Sequence, residues 1–231
     1  MLTSCYVINH GAYQVIRLEM IKKNKLVAII VAHPDDETLW VGGTILNHPY
    51  WECLIISLCR ASDGDRAPKF FQALKELGSR GEMSDLDDSP ELESLEEGEV
   101  EEMILELLPQ QHFDIIISHN PTGEYTRHIR HEEIGEAVIK LWLAGKISAH
   151  ELWAFAYEDG NKKYLPKPIK TANIFNKLSE KIWKKKYQII TEAYGFGENS
   201  FEAQTTPRAE SFWKMTNSSE AIQVLNYGGI S

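Results

Sequence analysis

Apolar runs and amphipathic stretches alternate over the first two thirds of the chain, and their lengths and periods select the elements. KLVAIIVA (25–32) is continuous and rich in Val and Ile, which predicts a parallel strand buried on both faces. A helix is expected to follow from about Glu37 to Leu46. CLIISL (53–58) and FDIIISH (113–119) read as further strands, and ELWAFAY (151–157) as a fourth. Helices are predicted from about Arg66 to Leu77 and over 91–108, the latter opened by Ser89 and Pro90. HEEIGEAVIKLW (131–142) carries apolar residues at 134, 137, 138, 141 and 142, which form one helical stripe.

This alternation predicts an α/β fold: a three-layer sandwich whose Rossmann-like, mostly parallel sheet has helices on both faces. Ligands of such sheets bind beyond the carboxyl ends of the strands. We read residues 1–231 as one domain, with a hairpin over 4–18 inside an extension at 1–24 and a less regular region over 166–231.

Composition narrows the partners. The chain is 43% hydrophobic, enough for a sizeable core, while 24 basic against 34 acidic residues leave a formal charge of -10. That charge repels the phosphate backbone that nucleic-acid binders neutralise, so nucleic acid is excluded as an expected partner. No apolar run approaches the roughly 18 to 20 residues that span a bilayer, and the first 25 residues lack a signal-peptide core. A soluble, cytoplasmic protein is therefore expected. Cys5, Cys53 and Cys59 form no CxxC pair, and Cys53 and Cys59 read as small core residues. No Lys or Arg occurs between Gly81 and Thr126; this acidic stretch and KIWKKKY (181–187) both read as solvated faces.

The chemistry concentrates in HPDDE (33–37), at the end of the first predicted strand. Pro34 stops the ladder, so the chain turns where His33 leaves the sheet, and His33 and Asp36 can converge on one point. An imidazole and a carboxylate make part of a zinc shell, which takes three protein ligands when the ion is catalytic. The competing reading is that Asp36 only caps the helix and His33 is a satisfied core histidine. A third ligand is sought beyond another strand. His128 and His131 lie there, three apart, with His131 on the stripe of Ile134 and Val138 and so directed toward the sheet. His119 reads as a strand-end core histidine and His48 as a surface turn, and His10, His112 and His150 share no spacing with another candidate.

AHPDDE followed by GGTI, GEY and an HxxH resembles the PIG-L/LmbE family of zinc-dependent N-acetylglucosamine N-deacetylases, over about Lys25 to Leu143. The resemblance implies His33, Asp36 and His131 as zinc ligands, with iron as the other metal considered. It implies Asp35 as general base, a protonated His128 facing the reacting carbonyl oxygen, and Arg66 as a substrate contact. It also implies a small-molecule amino-sugar conjugate as substrate and a homo-oligomeric assembly. Two departures stand out: Lys69 replaces a Glu expected three residues after Arg66, and GEYTRHIRH puts one extra residue between Tyr125 and His128. Two rivals remain. DGD at Asp63–Asp65 would serve a metal-dependent glycosyltransferase, and an intact metal site without turnover would serve a carbohydrate sensor.

Overall fold

The computed structural model describes residues 24–89, 94–96, 98–126 and 128–230, so the hairpin expected over 4–18 lies outside the described residues. The first part of the chain runs β1 (Lys25–Val31), α1 (Asp36–Asn47), β2 (Trp51–Ser57), α2 (Arg66–Leu77), β3 (Arg80–Met83), α3 (Glu99–Leu107), β4 (His112–Ser118), α4 (Ile129–Leu143) and β5 (Ser148–Phe155). The rest adds a small hairpin, β6 (Tyr157–Glu158) with β7 (Lys167–Pro168), and then β8 (Ile174–Lys177), α5 (Glu180–Gln188) and a π-helical turn (Ile189–Ala193). It ends with α6 (Phe201–Thr205), β9 (Ala209–Met215) and α7 (Ser218–Tyr227).

Seven strands form one sheet in the order β3-β2-β1-β4-β5-β9-β8, parallel from β3 through β5, with β9 antiparallel to both its neighbours. The alternating side chains of β1 show how the three layers arise. Val27, Ile29 and Val31 pack with Leu39 of α1, Phe70 and Leu74 of α2 and Ile189 of the π turn. Ala28 and Ile30 pack on the opposite face with Ile104 of α3, Val138 of α4 and Val224 of α7. Successive strand residues point to opposite faces, so a run without polar gaps fills two cores at once. Cys53 and Cys59 are buried free thiols in these layers. Among the described residues, no helix is long and apolar enough to cross a membrane.

Three local expectations are corrected. The helix predicted over 91–108 begins only at Glu99, behind Gly98 at φ 91, a conformation that favours glycine. Just before it, the Leu95 N–H donates to Glu133 of α4. The strand expected over 151–157 breaks at Ala156, whose N–H donates to the Ser211 carbonyl and whose own carbonyl receives the Ile169 N–H, opening the β6–β7 hairpin. The basic helix face at 181–187 is only partly solvated: Lys186 is fully buried and its Nζ donates to Glu210 of β9 at 2.5 Å.

Glu210 is itself fully buried and accepts from Gly43 N–H at 2.8 Å, Thr44 N–H at 2.6 Å and Thr44 Oγ1 at 2.6 Å, all on α1. A Cβ on Gly43 would stand 2.5 Å from Leu178 and 2.9 Å from Glu210, so glycine is what admits this carboxylate to the helix backbone. The network fixes α1, and with it the motif at its start, against the C-terminal strands.

Candidate metal centre and cleft

β1 lies between β2 and β4, so the chain crosses in opposite directions from adjacent strands and a crevice opens at their carboxyl ends. HPDDE leaves β1 there. Pro34 ends the strand, Asp35 takes φ 113 and ψ -30, and Asp36 begins α1. Such a backbone costs about 1–3 kcal/mol and persists only where its surroundings over-determine it. Glu37 supplies part of that constraint, because its Oε2 accepts the Asp35 N–H at 3.0 Å. The N-cap position is Asp35, which makes no side-chain cap, and the Asp36 carboxylate is used elsewhere: its Oδ2 accepts the His33 backbone N–H at 2.9 Å and its Oδ1 accepts Trp40 Nε1–H at 2.8 Å.

The two motifs meet. His33 Nδ1 lies 3.2 Å from Asp36 Oδ2 and 3.2 Å from His131 Nε2, and His131 Nε2 lies 3.4 Å from Asp36 Oδ2. A tetrahedral ion with bonds of about 2.0–2.1 Å has ligand-to-ligand edges of about 3.3–3.4 Å, so the three atoms form one face of a zinc-sized polyhedron. Among the described residues, His33 and His131 also group with His128, and Asp36 and His131 with His119, closely enough to hold a metal. His119 is the poorer donor, because its Nε2 already accepts the Ala32 N–H at 2.9 Å and would have to give up that buried backbone bond.

Glu124 organises the back of the centre. Its Oε2 receives Nδ1–H from His131 at 2.6 Å and from His119 at 2.9 Å, and its Oε1 receives the Asn120 N–H at 3.1 Å. This sets the His131 tautomer, with the Nε2 lone pair facing His33 and Asp36. Burial opposes ionisation of Glu124, but His119 and His131 hold its pKa down at about 2. Asp88 does the same for His33, lying 3.1 Å from His33 Nε2 and clamped by Arg60 at 2.6 and 3.0 Å. The acidic stretch is therefore not wholly a solvated face. Replacing Glu124 with Gln should weaken metal binding about 10- to 100-fold, which a competitive chelator titration measures; an unchanged affinity would remove Glu124 from this role.

The free carboxylate sits at the rim. Asp35 Oδ2 lies 3.2 Å from Arg66 Nη1, and Arg66 stacks over Phe196 at 4.7 Å. Burial raises the Asp35 pKa well above the usual range, helped by Asp36 and Glu37, with His33 and Arg66 opposing. Asp36 behaves oppositely: burial disfavours its charge, but His131 and His119 hold it well below the usual range. Neighbouring carboxylates thus differ sharply in proton affinity. His128 lines the cleft, its ring stacked on His131 at 4.4 Å. Burial, then His131 and His33, lower its pKa to about 3.

The cleft encloses about 320 Å³, and its walls include Trp40, Tyr125 and Phe201 beside Arg60, Arg66 and Asp88. Of the other candidates, His48 stacks on Trp51 at 4.2 Å and bonds the Thr44 carbonyl, while His112 and His150 pair with each other at 4.2 Å. His10 lies outside the described residues. Asp63 accepts the N–H groups of Asp65 and Arg66, and Asp65 binds Lys69, so DGD serves the start of α2. Sequence reasoning missed Asp88, Glu37 and Phe201 and gave Glu124 no role, although a carboxylate on the second nitrogen of a ligand histidine is a general expectation.

Residues 28–142 match the PIG-L family model, GlcNAc-PI de-N-acetylase. An uncharacterized protein, L374 of Acanthamoeba polyphaga mimivirus, is 24% identical over 184 residues, covering 73% of this chain and 77% of the relative. Among solved structures, N,N'-diacetylchitobiose deacetylase from Pyrococcus horikoshii superposes with TM-score 0.63 at 16% identity, covering 87% of this chain and 86% of that one. The zinc-inhibited form of teicoplanin deacetylase Orf2 gives 0.60 at 14% identity, covering 82% and 97%. The 4-carboxy-2-hydroxymuconate hydratase GalB of Pseudomonas putida KT2440 gives 0.54 at 17% identity, covering 84% and 97%. Identities this low establish a shared fold. The segment that supplies His33, Asp36, Glu124 and His131 is the segment matched, and residues 28–142 of this chain form a PIG-L family domain.

Proposed function

We propose that the chain is a metal-dependent N-deacetylase that hydrolyses the acetyl amide of an N-acetylglucosamine-type conjugate. The observation that carries this reading is the facial triad of His33, Asp36 and His131, with edges of 3.2–3.4 Å, beside a second carboxylate that bonds none of the three. Two deacetylases among the structural neighbours and the family description support the same reaction class.

His33, Asp36 and His131 would hold the ion. The edges favour zinc, although two imidazoles and a carboxylate also suit ferrous iron. A bound zinc would supply Lewis acidity and lower the pKa of a water to about 7. Asp35 takes the proton of the attacking water and returns it to the departing amine. His128 donates a ring N–H to the carbonyl oxygen as charge develops there. Arg66 holds Asp35 and meets the substrate, while the rings of Trp40, Tyr125 and Phe201 offer apolar faces to a sugar.

Zinc-loaded protein assayed on N-acetylglucosaminyl lipids, thiols and oligosaccharides should release acetate and an equal amount of free amine from at least one. Bound zinc with no acetate from any of them would overturn the reading in favour of a carbohydrate sensor. Consumption of a UDP-sugar with manganese would instead favour the glycosyltransferase.

A further inference from the structure

The C-terminal part of the chain reaches the site through a segment that the proposed reaction does not use. α5 widens into the π turn Ile189–Ala193, closed by Tyr194 N–H on the Ile189 carbonyl at 3.0 Å. The wider turn shifts the register of the residues after it, and such turns recur at functional sites. The residues it re-aims face HPDDE from outside the family-matched segment. Tyr194, 2% exposed, donates its hydroxyl to Glu37 Oε1 at 2.8 Å, and Phe196 lies under the Arg66 guanidinium. Glu37 is fully buried, Thr38 Oγ1 also donates to its Oε1 at 2.5 Å, and its other oxygen takes the Asp35 N–H at 3.0 Å. Asp35 is the residue at φ 113. A continuous chain of contacts therefore runs from the π turn to the backbone of the cleft carboxylate.

We propose that Tyr194 is a positioning residue that, through Glu37, locks the Asp35 backbone in its left-handed turn and so aims the Asp35 carboxylate into the cleft. The inference rests on reading Asp35 as the proton carrier. Tyr194 touches no metal-binding atom and does not line the cleft, so its effect should fall on turnover rather than on substrate or metal binding.

Tyr194→Phe keeps the ring and removes only the donor. In zinc-loaded protein it should lower kcat about tenfold, as small misplacements of a reacting group do, with KM and zinc content unchanged. The Asp35 amide should exchange with solvent about tenfold faster, because its acceptor is no longer held. Glu37→Gln, which cannot accept on both terminal atoms, should reproduce both effects. An unchanged Asp35 amide or, in an active enzyme, an unchanged kcat overturns the inference. If the wild-type protein releases no acetate, the deacetylase reading falls by itself, and the Asp35 amide still decides this one.

Discussion

Replacing Asp35 with Asn is expected to leave the metal bound and to cut acetate release by about 10²- to 10⁴-fold, the usual contribution of a positioned acid or base. Replacing His131 with Ala should remove the metal and the activity together. The contrast follows from geometry. Asp36 Oδ2, His33 Nδ1 and His131 Nε2 lie within 3.4 Å of one another, whereas the Asp35 carboxylate is turned to Arg66 at 3.2 Å. Loss of His131 leaves two protein donors, too few for a site that needs three, and takes one of its three donors from Glu124, leaving His119 and the Asn120 N–H. Elemental analysis of purified variants, paired with the acetate assay, reads both quantities. Equal metal loss in the two variants would mean that Asp35 is a ligand and that its assigned role is wrong.

The largest effect on stability should come from Glu210→Ala. Glu210 and Lys186 are both fully buried and paired at 2.5 Å, and Glu210 also satisfies Gly43 N–H, Thr44 N–H and Thr44 Oγ1. Burial pulls the Lys186 pKa below the usual lysine range, with Glu210 opposing. Removing one partner of a buried pair costs about 3–5 kcal/mol, because the other charge stays in a low-dielectric interior. At about 2–4 °C per kcal/mol for a chain of this size, Tm should fall by about 6–20 °C. Lys186→Met should cost less, because Glu210 then keeps its three α1 donors. Denaturant unfolding of both variants tests the order; a loss below about 1 kcal/mol in Glu210→Ala would mean that the pair does not hold α1 in this way.

The β1, β2 and β4 strands and the α1, α2 and α4 helices were legible because each has one strong period and a clear breaker, such as Pro34 after β1 or the Leu77-Gly78 end of α2. The π turn has no such signature, and β8 and β9 are set by pairing across a long separation in the chain, as in Ile174 with Phe212. In the site, spacing drew attention to His33, Asp36 and the His128/His131 pair, and the family resemblance singled out His33, Asp36 and His131. Spacing says nothing about which carboxylate bonds the far side of an imidazole. Glu124 and Asp88 act through contacts seven and fifty-five residues away, and Asp88 sits in a stretch whose composition resembles a solvated surface. His119 reads from its place in the chain as a core histidine; it is 1% exposed, yet its ring lies 3.9 Å from that of His131.

The Glu210 network also sets how the molecule can be divided. A fragment ending with α4 would contain every proposed metal donor, yet the amides of Gly43 and Thr44 would lose their acceptor and β4 would become a bare edge, its Ile115, Ile116 and Ile117 no longer covered by β5. The family-matched portion thus depends on the portion after it for the anion that accepts the first helix's amides and for the strand that covers β4.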